Sequence, residues 1–165
     1  MDAPSHQCGR ASAVGNLGIG ERFFRSRMTG EDLPQALPLC VDIADPTPDR
    51  GFDNAERSSF TRRMPVDLVV ALALLHHLAL GRNIPLSRIA AYFSKLTKNW
   101  LIVEFIPVTD PKATDLLRNR RRLHTAYDRI ELEQAFAGCF TTEKRATIPG
   151  TERILYLMRK RNDCV

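Results

Sequence analysis

The chain has 165 residues, with 24 Lys and Arg against 19 Asp and Glu, which gives a formal net charge of +5. Hydrophobic residues make up 44% and charged residues 26%, a composition typical of one globular domain that excludes disordered, collagen-like and coiled-coil chains. The small positive excess permits binding to nucleic acid or an anionic surface but does not require it.

Cysteine spacing and apolar runs give no indication of a metal site, secretion or membrane insertion. Residues 1–10 lack the basic and apolar regions of a secretory signal, and the apolar run Val66 to Leu80 is too short to span a bilayer. No two cysteines have C-x-x-C spacing; they are Cys8, Cys40, Cys139 and Cys164. We therefore expect a reduced, cytoplasmic protein without a metal or a membrane anchor.

The first 36 residues contain five glycines and little apolar periodicity, which predicts an irregular segment. Leu37–Ile43 is a short apolar run before a proline-rich turn and predicts a buried strand. Phe52–Arg63 predicts a helix. Val66–Leu75 is almost continuously apolar, which favours a strand covered on both faces in a parallel sheet, although a buried helix would have a similar composition.

The second half alternates between helix and strand signals. The apolar stripe from Leu86 to Leu96 predicts a helix, and Trp100–Ile106 predicts the next strand. Asp110-Pro111 has the cap and first-turn residues of a helix start, and a further helix is predicted around Leu132 to Phe136. Two strands, Phe140–Ile148 and Arg153–Arg159, follow, joined by the turn at Pro149-Gly150.

From residue 37 the predicted order is β-α-β-α-β-α-α-β-β. Right-handed crossovers make the first three strands parallel, and a tight turn makes the last two an antiparallel hairpin. The sequence therefore predicts an α/β fold with a mostly parallel sheet and a C-terminal antiparallel hairpin.

Four segments carry a resemblance to a known family. They are LPLCVDIADPTPDRGFDNAER at 37–57, DLVVALALLHHL at 67–78, IVEFIP at 102–107 and TERILYLM at 151–158. In this order they resemble class I S-adenosylmethionine-dependent methyltransferases, in particular the NoeA-like nodulation proteins. The resemblance implies a Rossmann-like methyltransferase domain over residues 37–160, a tail at 161–165, and S-adenosylmethionine as cofactor.

The sequence departs from this family at the glycine-rich turn. In the family, the first strand ends in a D-x-G-x-x-x-G turn that approaches the cofactor, and no such motif is plainly present here. We therefore expect a sheet that is incomplete in its N-terminal half, a fragment of a longer enzyme, and impaired cofactor binding. In the alternative arrangement, Ala11–Val14 and the glycines up to Gly20 replace the missing strand and turn, and Leu37–Asp42 is the second strand.

Two histidines and a glutamate are the candidate catalytic residues. His76 and His77 follow the predicted strand at its carboxyl end, where open α/β sheets bind ligands, and an imidazole there could take a proton from a methyl acceptor. The alternative is a core histidine bonded to a backbone carbonyl. Glu104 interrupts the next strand and either faces the substrate crevice or pairs with an arginine across the sheet.

The resemblance implies Asp42, Ile43 and Ala73 as cofactor-binding residues. Asp42 stands where the family reads the adenine amino group, and its alternative is to cap the turn before Pro46. The methyl acceptor is unknown. Nucleic acid is an unlikely partner, since arginines 118, 120, 121 and 122 would spread around a helix as a solvated face. An open sheet edge would favour self-association, and a non-catalytic remnant of methyltransferase ancestry is the alternative function.

Overall fold

A computed structural model of the chain describes residues 12–15, 37–117 and 126–163. It divides the chain into two compact units, Met1–Thr47 and Pro48–Val165. The predictions for the glycines beyond residue 15 and for the arginines between 118 and 122 lie outside the described residues.

The first unit contains a small parallel sheet. Strand β1, Ser12–Gly15, pairs with strand β2, Leu37–Cys40, in a register that places Ser12 opposite Leu37. Strand β2 confirms the strand predicted from residue 37. Strand β1 lies in the segment expected to be irregular, and its parallel pairing with β2 has the form of the alternative arrangement derived from the sequence.

The second unit is built on a four-stranded sheet. Its strands are β3 (Val66–Ala71), β4 (Thr97–Phe105), β5 (Phe140–Thr147) and β6 (Ile154–Lys160). They stand in the order β3-β4-β6-β5, with β3 parallel to β4 and with β6 antiparallel to both of its neighbours. The α/β class, the parallel pairing of β3 with β4 and the C-terminal hairpin are therefore confirmed. The strand at Leu37–Cys40 was predicted to belong to the same parallel set, but it pairs with β1 in a separate sheet.

Four helices accompany this sheet: α1 (Phe60–Arg63), α2 (Leu86–Leu96), α3 (Pro111–Leu117) and α4 (Arg129–Ala137). Helix α2 contacts α4 and β4, and α4 contacts β5. Phe136 joins these elements, with its ring centroid 6.4 Å from Phe93 of α2 and 6.1 Å from Phe140 of β5. The predicted apolar stripe of α2 is buried, because it forms this core.

Three sequence expectations are corrected. The helix predicted at Phe52–Arg63 is instead a short 3-10 turn at Phe52–Asn54 followed by the four-residue α1. Positive φ angles at Gly51, Asp53 and Asn54 interrupt the chain there. The strand predicted to reach Leu75 ends at Ala71, so the two histidines do not follow it directly. Cys139 is disulfide-bonded, so the expectation of reduced thiols is wrong for this residue.

Strand β3 is the edge of its sheet and is covered unequally. Leu68 and Val70 are 45% and 53% exposed, whereas Leu101 and Val103 of the neighbouring β4 are fully buried. The composition of this apolar run predicted a strand that is buried on both faces. The structure shows that prediction to be wrong for Leu68 and Val70.

Candidate active site at the carboxyl ends of the parallel strands

A left-handed elbow follows strand β3. Ala73 has a φ of 49°, which is uncommon for a residue with a side chain and costs about 1–2 kcal/mol. Its N–H donates a 2.7 Å hydrogen bond to Oε2 of Glu104. A charge-assisted hydrogen bond of this kind offsets the conformational cost, since it is worth about 1.5–3 kcal/mol. The elbow at Ala73 is thus held by a carboxylate from the next strand.

Glu104 belongs to a buried ionic network. Its Oε1 lies 3.4 Å from Nη1 of Arg153, and Nε of Arg153 donates to Oδ2 of Asp110 at 2.8 Å. The side chains of Glu104, Asp110 and Arg153 are 7%, 12% and 21% exposed. The hydrogen bond from Arg153 lowers the pKa of Asp110, and the same contact raises the pKa of Arg153. Of the two roles considered for Glu104, the structure shows the pairing with an arginine.

Asp110 has a second role at the start of helix α3. Its Oδ1 accepts the backbone N–H of Lys112 at 3.0 Å, as the predicted Asp cap before Pro111 requires. The aspartate therefore joins the first turn of α3 to Arg153.

His76 and His77 lie in a helical turn three and four residues after the elbow. Both N–H groups of His77 and Leu78 donate to the carbonyl of Leu74, at 3.0 and 3.2 Å. The turn then widens into a π-helical turn over His77–Gly81, in which the N–H of Arg82 reaches the carbonyl of His77 at 3.0 Å. Wide turns of this type are rare and often mark functional sites.

The imidazole of His76 is buried and unbonded. It is fully inaccessible, and neither ring nitrogen has a hydrogen-bond partner in the part of the chain that the structure describes. Each such atom costs about 1–3 kcal/mol. The alternative of a core histidine bonded to a carbonyl is therefore not found for His76.

Burial lowers the pKa of both imidazoles. Desolvation, followed by the charge of His77, lowers the pKa of His76 to about 4, against the opposing effect of Asp110. Burial and then the charge of Lys112 lower the pKa of His77, whose ring centroid is 4.2 Å from that of His76. His77 is partly exposed, so its ring is the one that a bound molecule could reach.

An open pocket of about 320 Å³ adjoins the network. It lies between the end of β4 and the turn that joins β5 to β6, and inside it Thr109 donates a 2.7 Å hydrogen bond to Glu152. None of the described residues that line it has a basic side chain; they are Pro107, Thr109, Asp110, Pro111, Gly150, Thr151 and Glu152. The pocket therefore presents oxygen atoms and negative charge.

Tyr127 stabilises the carboxyl end of β4. Its hydroxyl donates to the carbonyl of Ile106 at 3.0 Å, and its ring centroid lies 5.3 Å from that of Phe105. Burial raises the pKa of Tyr127, so its hydroxyl acts here as a fixed hydrogen-bond donor.

The predicted cofactor-binding residues are divided between the two units. Ala73 is exposed in the second unit, next to the network. Asp42 and the buried Ile43 belong to the first unit, where Oδ1 of Asp42 accepts the N–H of Ala44 at 2.9 Å in the turn after β2. The structure thus brings Ala73 and Glu104 together and shows Asp42 in the turn-capping role that was its alternative.

Arg153 and Asp110 are the site residues that sequence reasoning missed. Asp110 was assigned only a cap, and Arg153 only a place at the start of a strand. The available signal was the buried Glu104, which requires a cation close by, but the sequence does not indicate which of its 24 Lys and Arg supplies it.

The described residues contain neither a cluster of metal ligands nor a helix that could cross a membrane. No group of three His, Cys, Asp or Glu side chains among them could hold a metal ion. No helix among them has both the length and the apolarity that crossing a membrane requires. The cytoplasmic location stays a prediction.

Comparison with known proteins identifies a relative in sequence and solved structures of similar fold. No protein-family model matches the chain. Nodulation protein NoeA of Rhizobium meliloti (strain 1021) is 33% identical over 142 residues, which cover 84% of this chain and 28% of NoeA. The chain therefore spans less than a third of that relative.

The structural matches show the fold. One is magnesium protoporphyrin IX methyltransferase (ChlM) from Synechocystis PCC 6803 with bound SAH, with a TM-score of 0.50, 14% identity, and coverage of 87% of this chain and 59% of ChlM. The other is a candidate exported protein from Bordetella parapertussis, with a TM-score of 0.50, 18% identity, and coverage of 89% and 52%. The chain is thus NoeA-like in sequence and has the α/β fold of a methyltransferase.

Proposed function

We propose that the chain is part of an S-adenosylmethionine-dependent methyltransferase. The observation that carries the proposal is the neutral, unbonded imidazole of His76 against His77, beside a strained elbow at the carboxyl end of β3. Open α/β sheets bind their ligands at that end, and strained backbone and unsatisfied buried groups concentrate at functional sites. The likeness to NoeA and the SAH bound by ChlM support the choice of reaction.

The charges at this end of the sheet suit a sulfonium cofactor. Among the described residues, three carboxylates (Glu104, Asp110 and Glu152) lie at this end with two cations (Arg153 and Lys112), so their net charge is negative. When bound, S-adenosylmethionine would supply a methyl group on a positively charged sulfur. Of the predicted cofactor-binding residues, Ala73 is the one at this end of the sheet and would lie against the cofactor.

The chain's own residues then have separate roles in the proposed reaction. His77 is partly exposed and burial lowers its pKa, which favours the form that can accept the proton that the methyl acceptor loses. His76 packs against the ring of His77 and fixes it. Glu104 has a donor on each oxygen, so we assign it to positioning the elbow and not to proton transfer.

The cofactor proposal is tested by calorimetric titration of SAH into the purified chain. We expect saturable but weak binding, because the sequence lacks the D-x-G-x-x-x-G turn of complete enzymes. Asp42→Ala should weaken binding further, since it removes the oxygen that would accept the adenine N–H, while Asp45→Ala, three residues along the same turn, is the matched control. Absence of any saturable heat with the wild-type chain would contradict the proposal.

We further propose that the 320 Å³ pocket, whose lining does not include His77, holds the part of the methyl acceptor that lies away from its reacting group. Its carboxylates, its hydroxyls and the absence of basic side chains among the described lining residues favour a neutral or cationic acceptor with hydroxyl or amino groups. Transfer of radiolabelled methyl to hydroxylated or amino compounds, compared with their phosphorylated counterparts, tests this. Preference for the phosphorylated compounds would contradict it.

A non-catalytic interaction module is the second candidate, and the exposed edge strand favours it. Leu68 and Val70 leave apolar surface on β3 beside backbone groups that an added strand could bond. Sedimentation of the wild type and of Leu68→Lys distinguishes the two functions. Concentration-dependent association that the charge abolishes, together with no binding of SAH, would favour the module.

A further inference from the structure

Arg153 joins three segments that are distant in sequence. It lies immediately before β6, and Ile154 is opposite Phe105, the last residue of β4. This register places the guanidinium beside Glu104 at 3.4 Å, and its Nε beside Asp110 at 2.8 Å. The hairpin of β5 and β6 is thus tied to the carboxyl end of β4 and to the start of α3.

The connection continues from Glu104 to the elbow. Oε1 of Glu104 faces Arg153, and Oε2 accepts the N–H of Ala73 at 2.7 Å. Because the two oxygens of one carboxylate belong to a rigid plane, the cation on one side orients the acceptor on the other. Ala73 keeps its left-handed conformation without the freedom of a glycine.

A simple stabilising role explains this network poorly. Removing two carboxylates and a guanidinium from water costs several kcal/mol, and well-packed apolar side chains often replace such groups without loss of stability. An interaction that gains little stability but fixes one backbone amide in an unusual conformation is better suited to positioning the residues that follow. Those residues include His76, whose pKa is affected by both Asp110 and Arg153.

We propose that Arg153 is a positioning residue for the candidate active site. Through Glu104 it holds the elbow at Ala73, and through Asp110 it holds the first turn of α3, so that the turn carrying His76 and His77 has one position. The inference rests on the proposed methyltransferase function.

Amide hydrogen exchange measured residue by residue tests the connection. In Arg153→Gln, exchange at the Ala73 amide should accelerate about tenfold or more, because the hydrogen bond to Glu104 loses its fixed acceptor. Arg153→Lys should give an intermediate rate, because one ammonium group does not span both carboxylates. The amides of Leu101 and Val103, in the core of β4, should change little.

Arg159→Gln is the matched control. Arg159 lies on β6, six residues after Arg153. It also pairs with a glutamate, Glu143, at 2.8 Å, but this pair is exposed. We expect no change at Ala73 in this variant. If Arg153→Gln does not fold, the double variant Glu104→Gln with Arg153→Gln, in which both groups are uncharged, takes its place.

Methyl transfer supplies the second readout. Once a methyl acceptor has been identified, Arg153→Gln should lower kcat about tenfold or more with little change in KM for the cofactor. Misplacing a reacting group lowers the rate of the chemical step more than it weakens cofactor binding. Unchanged exchange at Ala73, or equal acceleration at Ala73, Leu101 and Val103, would overturn the proposal. Failure of the wild type to bind SAH would sink the proposed function and leave the exchange result to decide the role of Arg153.

Discussion

Polar side chains at the two ends of the four-stranded sheet make different kinds of contact. At the amino ends of β3 and β4, polar side chains bond to backbone carbonyls: Nζ of Lys160 donates to Ser94 and Thr97 at 2.6 and 3.0 Å, and the Thr97 hydroxyl donates to Trp100 at 2.7 Å. At the carboxyl ends, charged side chains bond to one another, an alanine is left-handed, and a buried histidine has no hydrogen-bond partner in the described part of the chain.

The difference indicates which end is built for stability. Neutral carbonyl acceptors around Lys160 join the end of helix α2 to the start of β4. The network around Arg153 contains costly groups that a purely structural end would not need. We infer that the amino end anchors the sheet and that the carboxyl end carries the chemistry.

Removing Glu104 should have the largest effect on this contrast. Glu104→Leu leaves Arg153 with one carboxylate and the Ala73 N–H without its acceptor, so the free energy of unfolding should fall by about 3–5 kcal/mol. Urea denaturation followed by circular dichroism measures it. Glu143→Leu is the control: its partner Arg159 is 61% exposed and Glu143 35% exposed, so we expect a loss below about 1 kcal/mol. Equal losses in the two variants would refute the distinction between buried and exposed pairs.

Acid should destabilise the carboxyl end through His76. Its pKa falls from 6.5 in the unfolded chain to about 4 in the folded protein, so the unfolded chain binds more protons between these values. Stability should therefore decrease by about 3 kcal/mol as the pH falls from 6.5 to 4. The charged and titratable neighbours are His77, Asp110, Arg153 and Lys112.

His76→Leu isolates this contribution. The variant should lose most of the pH dependence in that window and be at least as stable as the wild type at pH 7, because two unbonded nitrogens are replaced by carbon. Thermal unfolding at a series of pH values measures both effects. An undiminished slope between pH 6.5 and 4 would assign the acid sensitivity to other groups.

Substitutions at two glycines that flank strand β5 should give the smallest change in the free energy of unfolding. Gly150, in the turn at the carboxyl end, has a φ of 75°, so Gly150→Ala should cost about 1 kcal/mol. Gly138, before β5 at the opposite end, has a φ of −65° and open space around it, so Gly138→Ala should be neutral or stabilising by about 0.4–1 kcal/mol. Thermal melts of both variants measure the pair, and equal shifts would show that backbone conformation does not distinguish the two turns.

Much of the fold could be predicted because its signals are local. The stripe of α2, the Asp110 cap and the turn at Pro149-Gly150 each depend on a few neighbouring residues, and the parallel sense of β3 and β4 followed from connection rules. The boundaries at β3 were less accessible, because leucine and alanine suit a strand and the helical turn after Ala71 equally well.

The missing part of the site depends on register. The sequence placed a strand near Arg153 and another around Glu104, but only the pairing of Ile154 with Phe105 puts the two side chains in contact. The partner of Glu104 therefore required the three-dimensional structure. The same holds for His76, since only the packing shows that its nitrogens lack partners among the described residues.

The wide turn at His77–Gly81 has a consequence for how this segment tolerates insertions and deletions. A π-helical turn contains one residue more than the α-helical turn it replaces. Deleting one residue there would restore regular helix geometry but rotate the preceding imidazoles by about 100° about the helix axis. We therefore expect that deleting this one residue would turn His76 and His77 away from their present direction even though it would make the helix more regular.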